Sequence, residues 1–224
     1  MISSRIRAAR VIALPLLILA AVAVVLGGAR PVPKAPFAAL PVATADQQVA
    51  IFAGGCFWSM QKAFDGVPGV VTTTAGYAGG TASNPSYEQV ETGRTGHAES
   101  VQVIYDPSRI SYDRLLDIYW HHIDPLTVNR AFCDTGPQYR SIIFYKDAAQ
   151  QHAAEASKQA LDQSHRFKTK VVTAIEPATK FYPAEEYHQQ FYKKNPEHYE
   201  AYRIGCGRDQ RIAELWGVDQ AARR

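Results

Sequence analysis

Between Val11 and Ala29 the chain runs VIALPLLILAAVAVVLGGA without a charged residue, and Arg5, Arg7 and Arg10 precede it. A stretch that is apolar all round has no polar face to turn toward water, so it is excluded as a surface helix, and Pro15 argues against a buried one. A basic start followed by an uninterrupted apolar run is the pattern of an export signal, at a length where cleaved signals and retained anchors overlap. Gly27, Gly28 and Ala29 are small enough for a peptidase site. Residues 1–29 are therefore expected to be a signal peptide or membrane anchor that engages the membrane. The rest is then exported, either periplasmic or held at the inner membrane with its domain outside the cytoplasm. Pro31, Pro33, Pro36 and Pro41 mark residues 30–47 as an extended linker, which leaves 48–224 for the folded domain.

That segment is long enough for one substantial core, and the chain's composition, 46% hydrophobic and 20% charged, is that of an ordinary globular protein. The formal net charge is only +3, and the arginines near the N-terminus form no stripe that could follow a phosphate backbone, so nucleic acid is not expected as a partner. Export allows disulfides, yet there are only 3 cysteines, Cys56, Cys133 and Cys206, with no C-x-x-C pair among them. The count is too low for a disulfide scaffold, excludes a zinc knuckle, and being odd implies at least one free thiol.

From Gln48 onward strands and helices alternate. QVAIFA reads as a short apolar strand, and CFWSMQKAF as a helix opening at Cys56 with Phe57, Met60 and Phe64 at helical spacing. VVTTTAGY is a strand. In ESVQVIYDP, Val101, Val103 and Tyr105 alternate with Gln102, which predicts a half-buried strand. SYDRLLDIYWHH begins with Ser111 as N-cap; YRSIIFY and KVVTAIEP are strands; DAAQQHAAEASKQALDQ and the terminal RDQRIAELWG are helical. Strands separated by helices point to an α+β fold, a two-layer α/β sandwich.

In IFAGGCFWSM a strand and two glycines deliver Cys56 to the first turn of a helix. Unpaired amides and the helix dipole there favour thiolate, and Gly54 and Gly55 leave the backbone open to close approach. Phe57 and Trp58 diverge by roughly 100° on that helix, so one packs inward and the other faces the thiol's cleft. His121, His122 and Asp124 raise a metal alternative, but adjacent histidines on a helix point apart, and EEYHQQF lacks the H-E-x-x-H order of zinc hydrolases. No metal and no cofactor are expected. On these residues alone a cysteine hydrolase with His97 as base, or a module binding methionine-rich peptides, remains an alternative to redox chemistry.

GGCFW, GYAGG, YEQVETGRTGHAE, GPQYRSIIF and FYPAEEYHQQF stand in an order and spacing that strongly resembles the peptide methionine sulfoxide reductase A family, from about Gln48 to Trp216. The resemblance implies a ferredoxin-like mixed sheet with helices and an irregular C-terminal segment. It also implies a monomeric, thioredoxin-dependent reductase that returns methionine S-sulfoxide, free or in proteins, to methionine and so repairs oxidative damage. It assigns Cys56 as nucleophile, Glu99 as the acid that protonates the sulfoxide oxygen, and Tyr87 and Tyr139 as hydroxyl donors to that oxygen. It places Asp134 beside the pocket; Phe57 and Trp58, next to the nucleophile, are expected as substrate-binding residues with one of the two rings facing the cleft. Cys206, between two glycines near the C-terminus, matches a resolving cysteine in a flexible stretch, which implies a Cys56–Cys206 disulfide after turnover; Cys133 is a rival resolver or a loop thiol. The oxidised enzyme would be re-reduced by a thioredoxin-like electron donor in the same compartment.

Overall fold

The computed structural model describes residues 35–217; the apolar run at 11–29 lies outside them. In chain order the elements are β1 (Gln48–Gly54), α1 (Phe57–Phe64), β2 (Val70–Ala78), α2 (Tyr87–Glu91), β3 (Ala98–Tyr105), α3 (Tyr112–His121), β4 (Arg130–Ala131) and β5 (Asp134–Thr135). They continue with β6 (Ser141–Tyr145), α4 (Ala148–Gln163), β7 (Ala174–Pro177), β8 (Tyr182–Pro183), α5 (Phe191–Lys194), α6 (Pro196–Gly205) and α7 (Arg208–Trp216). None of the described helices is long and apolar enough to cross a membrane.

A six-stranded sheet in the order β7-β6-β1-β3-β2-β8 carries the fold. Its pairings are antiparallel except β6 with β7, where Ile142 lies beside Ala174. The sheet is therefore mixed, as expected. Side chains alternate faces along each strand. Ala50 and Phe52 of β1, Val101 and Val103 of β3, and Ile143 of β6 meet Met60 and Phe64 of α1, Leu115 and Tyr119 of α3, Ala154 of α4, and Ile212 and Trp216 of α7. Phe52 is the hub of this layer, with its ring stacked against Phe64 and Tyr119, each at 5.1 Å. On the opposite face Ile51, Ala53, Ala98, Ile142 and Phe144 form a smaller cluster closed by Phe181.

Three sequence expectations change. β3 is buried along its whole length rather than on one face, because β1 and β2 flank it and both faces are covered; Glu99, Ser100 and Gln102 are buried with it. The C-terminal part is not irregular. After a single turn at 186–188 it is built from α5, α6 and α7, with Pro196 at the first turn of α6 where its missing N–H costs nothing. The proline-rich linker does not hang free at its far end. Ala38 N–H donates to Ala184 O at 3.0 Å and Glu186 N–H to Pro36 O at 2.9 Å, so this stretch is extended but docked on the domain.

Candidate active site

The turn from β1 into α1 places Cys56. Gly55 has φ +87°, a left-handed conformation that only glycine adopts without strain, and Cys56 follows as the N-cap of α1. The space beside both glycines is already taken. A Cβ at Gly54 would stand 2.5 Å from Ile123 and 2.7 Å from the Met60 sulfur, and one at Gly55 would stand 2.5 Å from the Ala131 Cβ. The glycines thus serve close packing of the protein on itself, not room for a substrate.

The register of β3 brings Glu99 to the same site. Glu99 shares a strand face with Val101 and Val103, which is the face covered by helices, so its carboxylate points at the start of α1. Its Oε2 accepts the Phe57 N–H at 2.9 Å and the residue is only 2% exposed. The first free amide of α1 is therefore engaged by Glu99. Burial drives the Glu99 pKa well above the usual carboxylate range, opposed by the Phe57 amide and reinforced by Glu91 and Asp134.

The expected low-pKa thiol is not found at rest. Burial is the largest influence on Cys56 and raises its pKa far above normal, with the carboxylates of Glu99 and Asp134 pushing the same way. The Tyr202 hydroxyl and the Trp58 amide act in the opposite sense but are outweighed. A helix start stabilises an exposed thiolate; it does not offset full desolvation next to two acids.

The other candidate residues converge on this pair. Tyr87 begins α2 behind a capping box made by Ser86 and Gln89, and Tyr139 ends the single turn Pro137–Tyr139 before β6. Both hydroxyls have raised pKa values, from burial first and from Glu99 next, so both remain phenols. The Tyr139 hydroxyl donates to Glu91 at 2.7 Å. Asp134 lies in the short β4–β5 hairpin and accepts the Tyr202 hydroxyl at 2.6 Å. Phe57 is the buried member of the aromatic pair, packed on Tyr77 and His188. Trp58 is the partly exposed one: it stacks on Phe191 at 3.8 Å, meets Tyr202 edge-on at 5.8 Å and donates its indole N–H to His188 at 3.0 Å.

Several residues of the site were not singled out in the sequence. Glu185 accepts the Tyr77 hydroxyl at 2.8 Å and the Tyr87 N–H at 2.9 Å, and so fixes the start of α2. His188 anchors Trp58, and Tyr202 donates to Asp134 and favours the ionised form of the Cys56 thiol. Glu185 and His188 stand inside FYPAEEYHQQF, so the motif marked the segment but not the partners. Tyr202 lacked any signal, being one of 12 tyrosines.

The cysteines depart most from expectation. Cys206 caps α6 at its junction with α7 and is bonded to Cys133, with Cα atoms 4.8 Å apart; Cys56 is free. Cys206 is thus held between two helices rather than in a flexible stretch, and the bond present is not Cys56–Cys206. The structure brings Cys133 and Cys206 together because α6 returns over the β4–β5 hairpin, where Tyr202 also reaches Asp134.

His97 is packed edge-on to Tyr182 and neither ring nitrogen makes a hydrogen bond, so nothing orients it as a catalytic base. His121 bonds to Asp117 O at 2.7 Å, His122 to Ile118 O at 2.8 Å and Asp124 to Arg211 at 2.8 Å, three separate sets of partners. A cavity of about 410 Å³ bordered by Lys62, Asp65, Arg114 and His121 has neither Cys56 nor Glu99 in its walls.

A thiol beside a buried carboxylic acid, with two phenols near enough to feel that acid's charge, suits reduction of an oxygen that must be protonated as it leaves. Residues 48–220 match the model of the family described as peptide methionine sulfoxide reductase. The chain is similar to peptide methionine sulfoxide reductase MsrA of Halalkalibacterium halodurans, 52% identical over 168 residues, covering 75% of this chain and 96% of that protein. MsrA of Bacillus subtilis is 49% identical over 172 residues, covering 77% and 97%. Among solved structures, the reduced form of Mxr1 from Saccharomyces cerevisiae is similar with TM-score 0.66 and 33% identity, covering 70% of this chain and 90% of that one. Methionine sulfoxide reductase A of Corynebacterium diphtheriae gives TM-score 0.61 and 34% identity, covering 68% and 77%. The paired Cys56 and Glu99 thus sit in a chain that belongs to the peptide methionine sulfoxide reductase A family, an oxidoreductase that reduces methionine sulfoxide.

Proposed function

We propose that Cys56 is the nucleophile and Glu99 the acid in the reduction of methionine S-sulfoxide, free and in proteins. The observation that carries this reading is Glu99, buried and bonded to the amide next to Cys56, with its proton retained by burial. The Cys56 sulfur attacks the sulfoxide sulfur while Glu99 protonates the departing oxygen, and the thiol's own proton replaces the one Glu99 gave. The bond between the two sulfurs then breaks as the protonated oxygen passes from the substrate sulfur to Cys56, so the sulfoxide sulfur gains two electrons and leaves as the thioether of methionine. Oxygen and a proton end on Cys56 as a sulfenic acid, so Cys56 loses the same two electrons. Tyr87 and Tyr139 bind the oxygen as it gathers charge, a task suited to phenols that stay protonated. Asp134, Phe57 and Trp58 shape the pocket around the substrate.

Cys206 then displaces water from the sulfenic acid to form Cys56–Cys206, and Cys133 attacks Cys206 to give Cys133–Cys206 and a free Cys56 thiol. The end point is the arrangement seen, with Cys56 free and the outer pair bonded. Cys133 is exposed, which suits a disulfide that a thioredoxin-like dithiol must reach. With residues 1–29 acting as export signal or anchor, that donor works outside the cytoplasm, and the enzyme repairs proteins exposed to oxidants there.

Peptide mapping of the pre-reduced enzyme after one equivalent of sulfoxide tests the whole scheme. The native chain should yield Cys133–Cys206, Cys133→Ser should stop at Cys56–Cys206, and Cys206→Ser should form about one methionine per enzyme and then stall with a thioredoxin-type reductant, by the stoichiometry of the sulfenic step. Turnover by folded Cys56→Ser would refute the nucleophile. A Cys56–Cys206 bond as the final product of the native chain would remove Cys133 from the pathway.

A further inference from the structure

Arg208 is only 1% exposed and heads the largest fully buried side chains among the described residues. It opens α7, so its own charge faces the positive end of a helix dipole and receives no help from it. Nη2 donates to His122 O at 2.8 Å, to Gly54 O at 3.4 Å and to the Met60 sulfur at 3.6 Å, all uncharged acceptors. Nη1 is buried with no hydrogen-bond partner. The guanidinium lies over the Phe132 ring, 4.1 Å from its centroid. A buried arginine satisfied only by carbonyls, with one nitrogen orphaned, is a costly arrangement unless a negative charge arises nearby.

Its place in the fold says where that charge arises. Nη1 stands 3.7 Å from where a side chain would begin at Gly55, the residue before Cys56, and Nη2 holds the carbonyl of Gly54. The groups facing the Cys56 sulfur from other elements are Glu99 of β3, Asp134 of β5, Tyr87 of α2 and Tyr202 of α6, each an acid or a phenol. His122, next to Arg208, is kept neutral, pushed down to about 4 by burial first and also by Arg208 and Arg203. Arg203 is itself paired to Asp209. Arg208 is thus a buried cation beside this turn, and its charge bears on Tyr202 and Asp134, which face the sulfur, and more weakly on Cys56 itself.

We propose that Arg208 is a positioning residue for the reaction, a buried cation whose free Nη1 side faces the Cys56 turn and stabilises the thiolate there. Phe132 is the seat that holds it, and the Cys133–Cys206 bond ties the two together, since Phe132 precedes Cys133 and Arg208 follows Cys206 by one intervening glycine. The cation offsets what Asp134 imposes on the sulfur, so the thiol can ionise without that acid being lost.

The test uses two readouts on the full chain. In the form with Cys133–Cys206 bonded, Cys56 is the one free cysteine, so the pH dependence of its alkylation rate by iodoacetamide, read against Cys56→Ser, reports its ionisation alone even well below its pKa. With pre-reduced enzyme, the single-turnover rate of methionine formation from a methionine S-sulfoxide peptide gives the acid limb of the pH profile. Arg208→Met should move both to higher pH, with a rate about tenfold or more lower on the acid side by loss of one buried charge interaction; Arg208→Lys, which keeps the charge, should recover part of it. Profiles of Arg208→Met that overlay the native ones overturn the proposal. If Arg208→Met does not yield folded protein, Phe132→Leu decides, because it keeps the arginine and removes its seat. An upward shift supports the role and an unchanged profile overturns it. The proposal rests on Cys56 as nucleophile, and the two fail separately: activity in Cys56→Ser sinks that assignment, whereas an unmoved profile in Arg208→Met sinks only this one.

Discussion

At the scale of single residues the site is governed by desolvation. Glu99 and Cys56 are both buried, and burial favours the neutral form of each, which the proposed reaction needs at its start in Glu99 as proton donor. Glu99→Gln should keep substrate affinity while lowering turnover by about two to four orders of magnitude, as loss of a general acid does; steady-state kinetics on a sulfoxide peptide would show it as a fall in kcat with KM little changed. The same burial has a sign in stability. The folded Glu99 keeps its proton above the unfolded value of 4.5, so the unfolded chain binds fewer protons in that interval. Stability contributed at this position is therefore full below pH 4.5 and is lost as pH rises toward the raised folded pKa. Urea unfolding at pH 5 and pH 8 should show a loss with pH in the native enzyme that is smaller in Glu99→Gln, and equal slopes for the two would mean Glu99 is ionised in the fold.

At the scale of elements, α3 is started by a local device readable in the chain. Ser111 accepts the Arg114 amide at 3.2 Å and starts α3, so Ser111→Ala should cost about 1 kcal/mol of stability without changing kcat, since α3 touches no reacting atom. Gly55 is the contrasting case. An alanine there must adopt φ near +87° and meet Ala131, so Gly55→Ala should destabilise by about 1–3 kcal/mol from backbone strain alone and lower activity as well, because the turn it distorts carries Cys56. Chemical denaturation paired with activity assays separates the two; a silent Gly55→Ala would show that the turn is not constrained.

At the scale of the whole molecule, the Cys133–Cys206 bond joins the β4–β5 hairpin to the α6–α7 junction across a sequence separation of 73 residues. Closing a loop of that size typically stabilises a fold by about 2–4 kcal/mol, and at roughly 2–4 °C per kcal/mol for a domain of this size its reduction should lower Tm on the order of 10 °C. Calorimetry of the oxidised and reduced forms, with Cys133→Ser as control, checks this. A variant whose Tm ignores reductant while the native chain responds would confirm that the bond is the source. No change in either would mean that packing and hydrogen bonds, not the disulfide, hold the hairpin to the helices.

Local chemistry was legible in the chain. Apolar and β-branched runs marked β1, β2 and β6, alternation marked β3, a capping residue marked α3, and the glycines before Cys56 marked a turn, because each depends on neighbours within a few positions. The motifs likewise named Cys56, Glu99, Tyr87 and Tyr139 as one set. The states of these groups were decided elsewhere. Gly54 and Gly55 looked open until Ile123, Met60 and Ala131 filled the space, and Cys56 looked like a ready thiolate until burial and two acids from distant segments raised its pKa. Full burial of β3 followed from its place between β1 and β2, and the pairing of Cys133 with Cys206 from the return of α6 over a hairpin. Glu185, His188, Tyr202 and Arg208 entered the site the same way. Desolvation, ion coupling and disulfide partnership are set by distance in space, and only the packed fold brings together residues so far apart along the chain.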